Sequence, residues 1–177
     1  MTTIQRTLWD LVTRKPRRKP STRPDAPSVR RTGAMAERYE RVTRAMLATH
    51  GVRVRRWRTS MSGVAWQVTY ADGSVSKLIE APRPRGPMSA AVFLHEIGHH
   101  AIGFGTYTPR CLEEYHAWRF ALDTMRAEGL NVTERVLSRE RESVCYAIAK
   151  ATRRGLKRLP HELEPYLAYM ARTQSGR

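Results

Sequence analysis

The sequence predicts an α+β fold in which a small, mainly antiparallel three-stranded sheet packs against several helices. Three observations lead there. Three short segments with strand-like alternation fall between residues 52 and 80, and the Asp72-Gly73 pair between the last two has the chemistry of a tight hairpin turn. Segments with a helical apolar period lie on either side of them. One of these, 89–102, is apolar on nearly every side, which marks a helix buried among other elements. At 177 residues and 41% hydrophobic content, the chain can bury a core of its own without disulfide staples.

The elements follow in order. Residues 1–12 place Ile4, Leu8 and Leu11 at helical spacing, in a segment too short to hold a helix alone in water. Residues 14–31 contain Pro16, Pro20, Pro24 and Pro27 among eight basic residues, which opposes both helix and sheet. The expected organisation is therefore a basic, proline-rich disordered tail over 1–33 and a folded domain over 34–177. Met35, Tyr39, Val42, Met46 and Leu47 give a helix over 34–50 that Gly51 stops. Strands are expected at 52–58, at 64–70 with Val64, Trp66, Val68 and Tyr70 on one face, and at 75–80; Pro82, Pro84 and Pro87 close the sheet. The buried helix begins near Met88 and ends at Gly103 and Gly105. Further helices are expected over 111–127, from an Asn131 N-cap with Glu134 as its capping-box partner to about Arg153, and along the stripe Leu163, Tyr166, Leu167 and Met170, with Pro165 disturbing the first turn.

Charge and cysteine content narrow the function classes. Residues 1–58 hold 16 Lys and Arg against 4 Asp and Glu, a net of +12, whereas 59–177 hold 16 against 12, a net of +4. A basic front segment attracts polyanions, so contact with nucleic acid through this arm is one expectation and a solvated linker the other. Cys111 and Cys145 are too few for a disulfide framework or a four-thiolate zinc site. No apolar run reaches membrane-spanning length, and Arg6 and Asp10 interrupt what would be a secretory signal, so a cytoplasmic protein without membrane contact is expected.

The buried helix carries the chemistry. It contains His95-Glu96-Ile97-Gly98-His99, an H-E-x-x-H pattern for which a shuffled chain of this composition gives roughly 0.01 chance matches. Two histidines four apart stand one above the other on a helix and can converge on one zinc ion. Glu96 points away from that ion's ligand positions but can take a proton from a water held in the open one. An apolar helix has no structural use for these three groups, since burying them unpaired costs several kcal/mol.

Catalytic zinc takes three protein ligands, so a third is needed. Cys111, Glu113, Glu114 and His116 are all chemically suited. Glu114 heads the apolar stripe Ala117, Trp118, Ala121, Leu122 and Met125, while His116 heads Arg119, Asp123 and Arg126 on the wet side, and Glu113 lies between. Periodicity thus favours His95, His99 and Glu114 as the metal ligands, and leaves Glu113, His116 and Cys111 open as the third.

This order of elements, the His95–His99 motif and the acidic helix ending in Phe120-Ala121 resemble a minimal zincin of the gluzincin kind, most of all the ImmA/IrrE-type metallopeptidases of phage and mobile elements. The likeness covers roughly residues 34–127, and His116-Ala117-Trp118 stands where that family usually has Glu-Ala-Asn. It implies a Zn2+ site at His95, His99 and the downstream glutamate, Glu96 as general base, and cleavage of a protein substrate, often a transcriptional repressor; no helix-turn-helix segment accompanies it here. Tyr107 and Tyr115 are candidates for polarising the scissile carbonyl. His100 points about 100° from the motif face, a helix start explains His161-Glu162, and sheet packing explains Trp57 and Trp66 better than base stacking. The expected function is a zinc-dependent peptidase acting on an intracellular protein. The alternative is a nucleic-acid-binding or partner-binding regulator with a structural or degenerate zinc site. The sequence leaves the oligomeric state open.

Overall fold

The computed structural model describes residues 33–175, so the expected N-terminal helix and proline-rich tail lie outside the described residues. The chain then runs α1 (Ala34–His50), β1 (Val52–Arg58), β2 (Val64–Thr69), β3 (Val75–Pro82), α2 (Pro87–Ile102), α3 (Arg110–Ala127), α4 (Glu134–Arg153), a 3-10 turn (His161–Leu163) and α5 (Glu164–Ser175). The expected α+β class is the observed one. Gly51 stops α1 in the left-handed conformation with φ 62°, where its N–H reaches the Ala48 carbonyl at 3.3 Å.

The sheet has the order β1-β3-β2 and is mixed rather than mainly antiparallel. β2 and β3 form the expected antiparallel hairpin, with Ala65 opposite Ile79 and Trp66 opposite Leu78. Tyr70 donates to the Ser74 carbonyl at 2.9 Å, and Gly73 supplies the φ of 81° that the turn requires. β1 pairs with the other edge of β3 in parallel. The reason is the five-residue link 59–63, which crosses the end of β3. It spans two strand spacings, about 10 Å, without strain. Val54, Ala65, Ile79 and Ala81 join the core on one face. The Val64–Trp66–Val68 stripe lies on the opposite face, where the Arg55 guanidinium sits 5.7 Å from the Trp66 ring centre.

α2 is the centre of the packing. It lies against β3 and, on its other side, α3; α1 packs on α2 and β1, α4 on α3, and α5 on α4. Pro87 opens it without losing a useful donor, and Ser89 Oγ accepts from the Gly86 N–H at 3.2 Å. Every residue from Ser89 to His100 is buried, as the all-round apolar pattern requires. α4 starts later than expected. Its N-cap is Thr133, whose Oγ1 accepts from the Val136 N–H at 3.3 Å, and not Asn131. The cause is packing: Leu130 closes the end of α3 through its N–H to the Met125 carbonyl, and Val132 packs on the core, so the chain is committed until residue 133. The irregular start expected from Pro165 is the 3-10 turn; Leu163 is buried while Leu167 is 47% exposed.

His100 ties α2 to the sheet. Its Nε2–H donates to the Leu78 carbonyl at 3.0 Å, and burial pushes its pKa down to about 4. A depressed folded-state pKa means that the unfolded chain binds the proton first. Stability should therefore fall as the pH drops from 6.5 through about 4. The slope from one such group is at most about 1.4 kcal/mol per pH unit. Urea unfolding of wild type and His100→Gln across that window checks this: the variant should show the shallower pH dependence.

Candidate metal centre

α2 brings His95 and His99 one turn apart, and α3 delivers Glu114 beside them. The approach is close because position 98 is glycine: a Cβ there would lie 2.7 Å from the Ala117 carbonyl oxygen. Among the described residues, His95, His99 and Glu114 are the group whose ligand atoms cluster tightly enough to hold a metal ion. The two Nε2 atoms lie 3.3 Å apart, and Glu114 Oε2 is 3.5 Å from His95 Nε2 and 3.8 Å from His99 Nε2. A point equidistant from all three is about 2.1 Å from each, which is the length of a zinc–nitrogen or zinc–oxygen bond. At most one proton fits between the two nitrogens, so the cluster is a surplus of lone pairs aimed at one point. All three residues are buried, with exposures of 3%, 0% and 4%.

Surrounding groups hold the imidazoles in place. The Trp118 ring stacks on His95 with centroids 4.5 Å apart, and Phe104 lies parallel to His99 at 6.0 Å. Glu113, the neighbouring candidate for third ligand, sits on the far side of His99: its Oε1 is 3.4 Å from Nδ1, and its Oε2 accepts from the Gly105 N–H at 2.8 Å. The two atoms make no hydrogen bond, but the carboxylate's charge beside that nitrogen raises the basicity of the ring. His116 and Cys111 stand outside the cluster. His116 stacks on Tyr107 at 3.7 Å, and Cys111 is buried in the core. Tyr107 and Tyr115 both engage His116, the latter edge-on at 5.1 Å.

The electrostatics favour neutral imidazole at one position and a carboxylate at another. Burial lowers the His95 pKa to about 4, and the charges of His99 and Arg139 act in the same direction. Burial also disfavours the His99 imidazolium, but the Glu114, Glu113 and Glu96 carboxylates outweigh it and raise its pKa above 6.5. For Glu114, burial works against ionisation, yet the two imidazoles and Arg110 draw its pKa down to about 2. Of the two imidazoles, His99 is thus the one whose surroundings favour a proton, and a metal ion at the cluster would compete with it.

Glu96 is 2% exposed and packs against Gly63, where an added Cβ would overlap its carboxylate. The loop that carries Gly63 is held from α4, where Arg139 Nη2 donates to the Met61 carbonyl at 2.9 Å. Gly63, Gly98 and Arg139 are residues that sequence reasoning missed. Each acts through a contact distant in sequence, and no local pattern signals it. Comparison with family models, curated proteins and solved structures yields no match.

Ligand substitution separates the two glutamates. A metal ion that wild type takes up at this cluster should be lost, by elemental analysis, with alanine at His95, His99 or Glu114. Glu113→Ala should keep that ion, with affinity reduced about 10- to 100-fold. A Gly98→Val variant forces α2 and α3 apart. It should lose both zinc affinity and about 1–3 kcal/mol of stability in urea unfolding.

Proposed function

We propose that the protein is a zinc-dependent peptidase of the minimal zincin kind, acting on an intracellular protein. The observation that carries this reading is the convergence of two imidazoles and a carboxylate at zinc-bond distance, with a second buried carboxylate, Glu96, on the same helix. Two nitrogens and one oxygen suit zinc, and three protein ligands leave a position for water.

His95, His99 and Glu114 would hold the ion, which supplies a Lewis acid and lowers the pKa of a water molecule towards 7. The remaining work falls to the chain itself. Glu96 takes a proton from the attacking water as oxygen bonds to the substrate carbonyl carbon. It then returns that proton to the departing amine nitrogen as the C–N bond breaks. Gly63 lets the loop lie directly over Glu96 and limits where its carboxylate can turn. The Glu113 carboxylate lies beside His99 Nδ1, and the Trp118 ring stacks on His95.

Glu96→Gln is the direct test. It should retain one zinc per chain while hydrolysis of a denatured-protein or peptide mixture falls by about 10²–10⁴-fold, followed by mass spectrometry of the products. Unchanged hydrolysis in the variant overturns the assignment.

A second reading, a nucleic-acid-binding regulator with a non-catalytic zinc site, draws on the +12 charge of residues 1–58 and on Arg53, Arg55 and Arg56, all exposed on β1. It expects duplex DNA or RNA binding that weakens steeply with salt, is lost on deleting residues 1–33, and is untouched by Glu96→Gln.

A further inference from the structure

A cleft of about 360 Å³ opens beside the metal cluster between the first turn of α3 and the last turns of α4. Its walls include Ala147, Ala151 and Leu156, and its charged lining is Arg110, Lys150, Arg154 and Glu114. Glu114 belongs to both places. Its Oε2 faces His95 and His99, while its Oε1 lies 3.7 Å from Arg110 Nη2. That separation is an ion pair too long for a hydrogen bond, and both Glu114 Oε1 and Arg110 Nη2 are buried atoms without a hydrogen-bond partner. Buried donors of this kind are normally satisfied, so a charged nitrogen left open at the wall of a cleft calls for an acceptor.

The charge balance defines that acceptor. Three cations meet one carboxylate, and the carboxylate is shared with the metal cluster. Lys150 lies within the field of both Arg110 and Arg154, which repel its ammonium. An anionic guest relieves this crowding; a cationic one adds to it.

Resting on the peptidase reading, we propose that this cleft is a substrate subsite that receives a carboxylate close to the scissile bond. Through the Glu114 carboxylate, Arg110 Nη2 stands near the ligand cluster. The path is roughly 8 Å or less to the cluster's centre, the reach of one or two residues of extended peptide. Arg110 supplies a planar fork suited to a carboxylate, with Lys150 and Arg154 as flanking charges. The apolar walls accommodate the methylene groups of the residue that carries the carboxylate. The protein would therefore cleave beside an acidic residue or near a free C-terminus, and the two sources share the same chemistry.

Binding to the full-length Glu96→Gln protein tests this without turnover, in zinc-loaded and metal-free forms. The probes are fluorescent, C-terminally amidated alanine pentapeptides with a central Glu or Gln, and an all-alanine pentapeptide with a free or amidated C-terminus. Fluorescence polarisation should show at least one carboxylate probe binding about tenfold tighter than its neutral counterpart. The Arg110→Gln variant, read in the metal-free form, should lose most of that preference, and the Lys150→Gln/Arg154→Gln double variant part of it. Preference for the central Glu identifies a side chain as the source, and preference for the free terminus identifies the α-carboxylate. Equal binding of charged and neutral probes, no measurable binding of any, or a preference that survives undiminished in the Arg110→Gln variant overturns the proposal. The metal-free arm keeps this separate from the peptidase reading, because the cleft cations need no metal to discriminate charge.

Discussion

The cluster of His95, His99 and Glu114, which could hold a metal ion, depends on how closely two helix backbones approach at Gly98 and Ala117. Glu114 is one turn of α3 before Ala117, and His95 and His99 flank Gly98 on α2, so the crossing point fixes all three ligand atoms at once. A wider crossing would leave the carboxylate short of the imidazoles. Interhelical distance is set by the side chains at the contact, and here one helix contributes none. The same crossing closes the core, because Trp118, the residue after Ala117, is buried against His95.

The cost of the arrangement is electrostatic. Six ionisable side chains, Glu96, Glu113, Glu114, His95, His99 and His100, are buried within or against one apolar helix. They are tolerated because charges and polar groups meet neighbours of the right kind: Glu113 with the Gly105 N–H, Glu114 with His99, and His100 with the Leu78 carbonyl. Pairing of this kind offsets desolvation without turning it into a gain. A divalent ion held at His95, His99 and Glu114 would do more, since it would meet several lone pairs together and make part of its binding energy available to the fold.

Much of this was legible in the sequence because helical period is a strong local signal. The buried α2, the Asp72-Gly73 turn and the core stripe of α3 each follow from residues within one element, and a rotation of about 100° per residue is enough to favour Glu114 over its neighbour. Glu113 is buried as well, on the side facing His99 Nδ1, which no single-helix pattern distinguishes from exposure. What depends on distant partners was not legible. The parallel pairing of β1 follows from where a link can cross, the Thr133 cap from how Val132 packs, and the need for glycine at 63 from a glutamate 33 positions later.

The link 59–63 joins topology to chemistry. It must be long enough to pass over the end of β3, and its last residue must lie against Glu96. Connections elsewhere on the surface tolerate lengthening well, because loop-closure entropy grows slowly with length. This one has both ends committed, so an inserted residue would have to bulge away from the sheet or shift Gly63 off the carboxylate. The β2–β3 turn carries no such double duty: its tip, 71–73, is exposed. The two ends of a single strand thus differ in what they permit. A tag or extra loop can be accepted at the far end of β2, while its near end fixes the length of the chain.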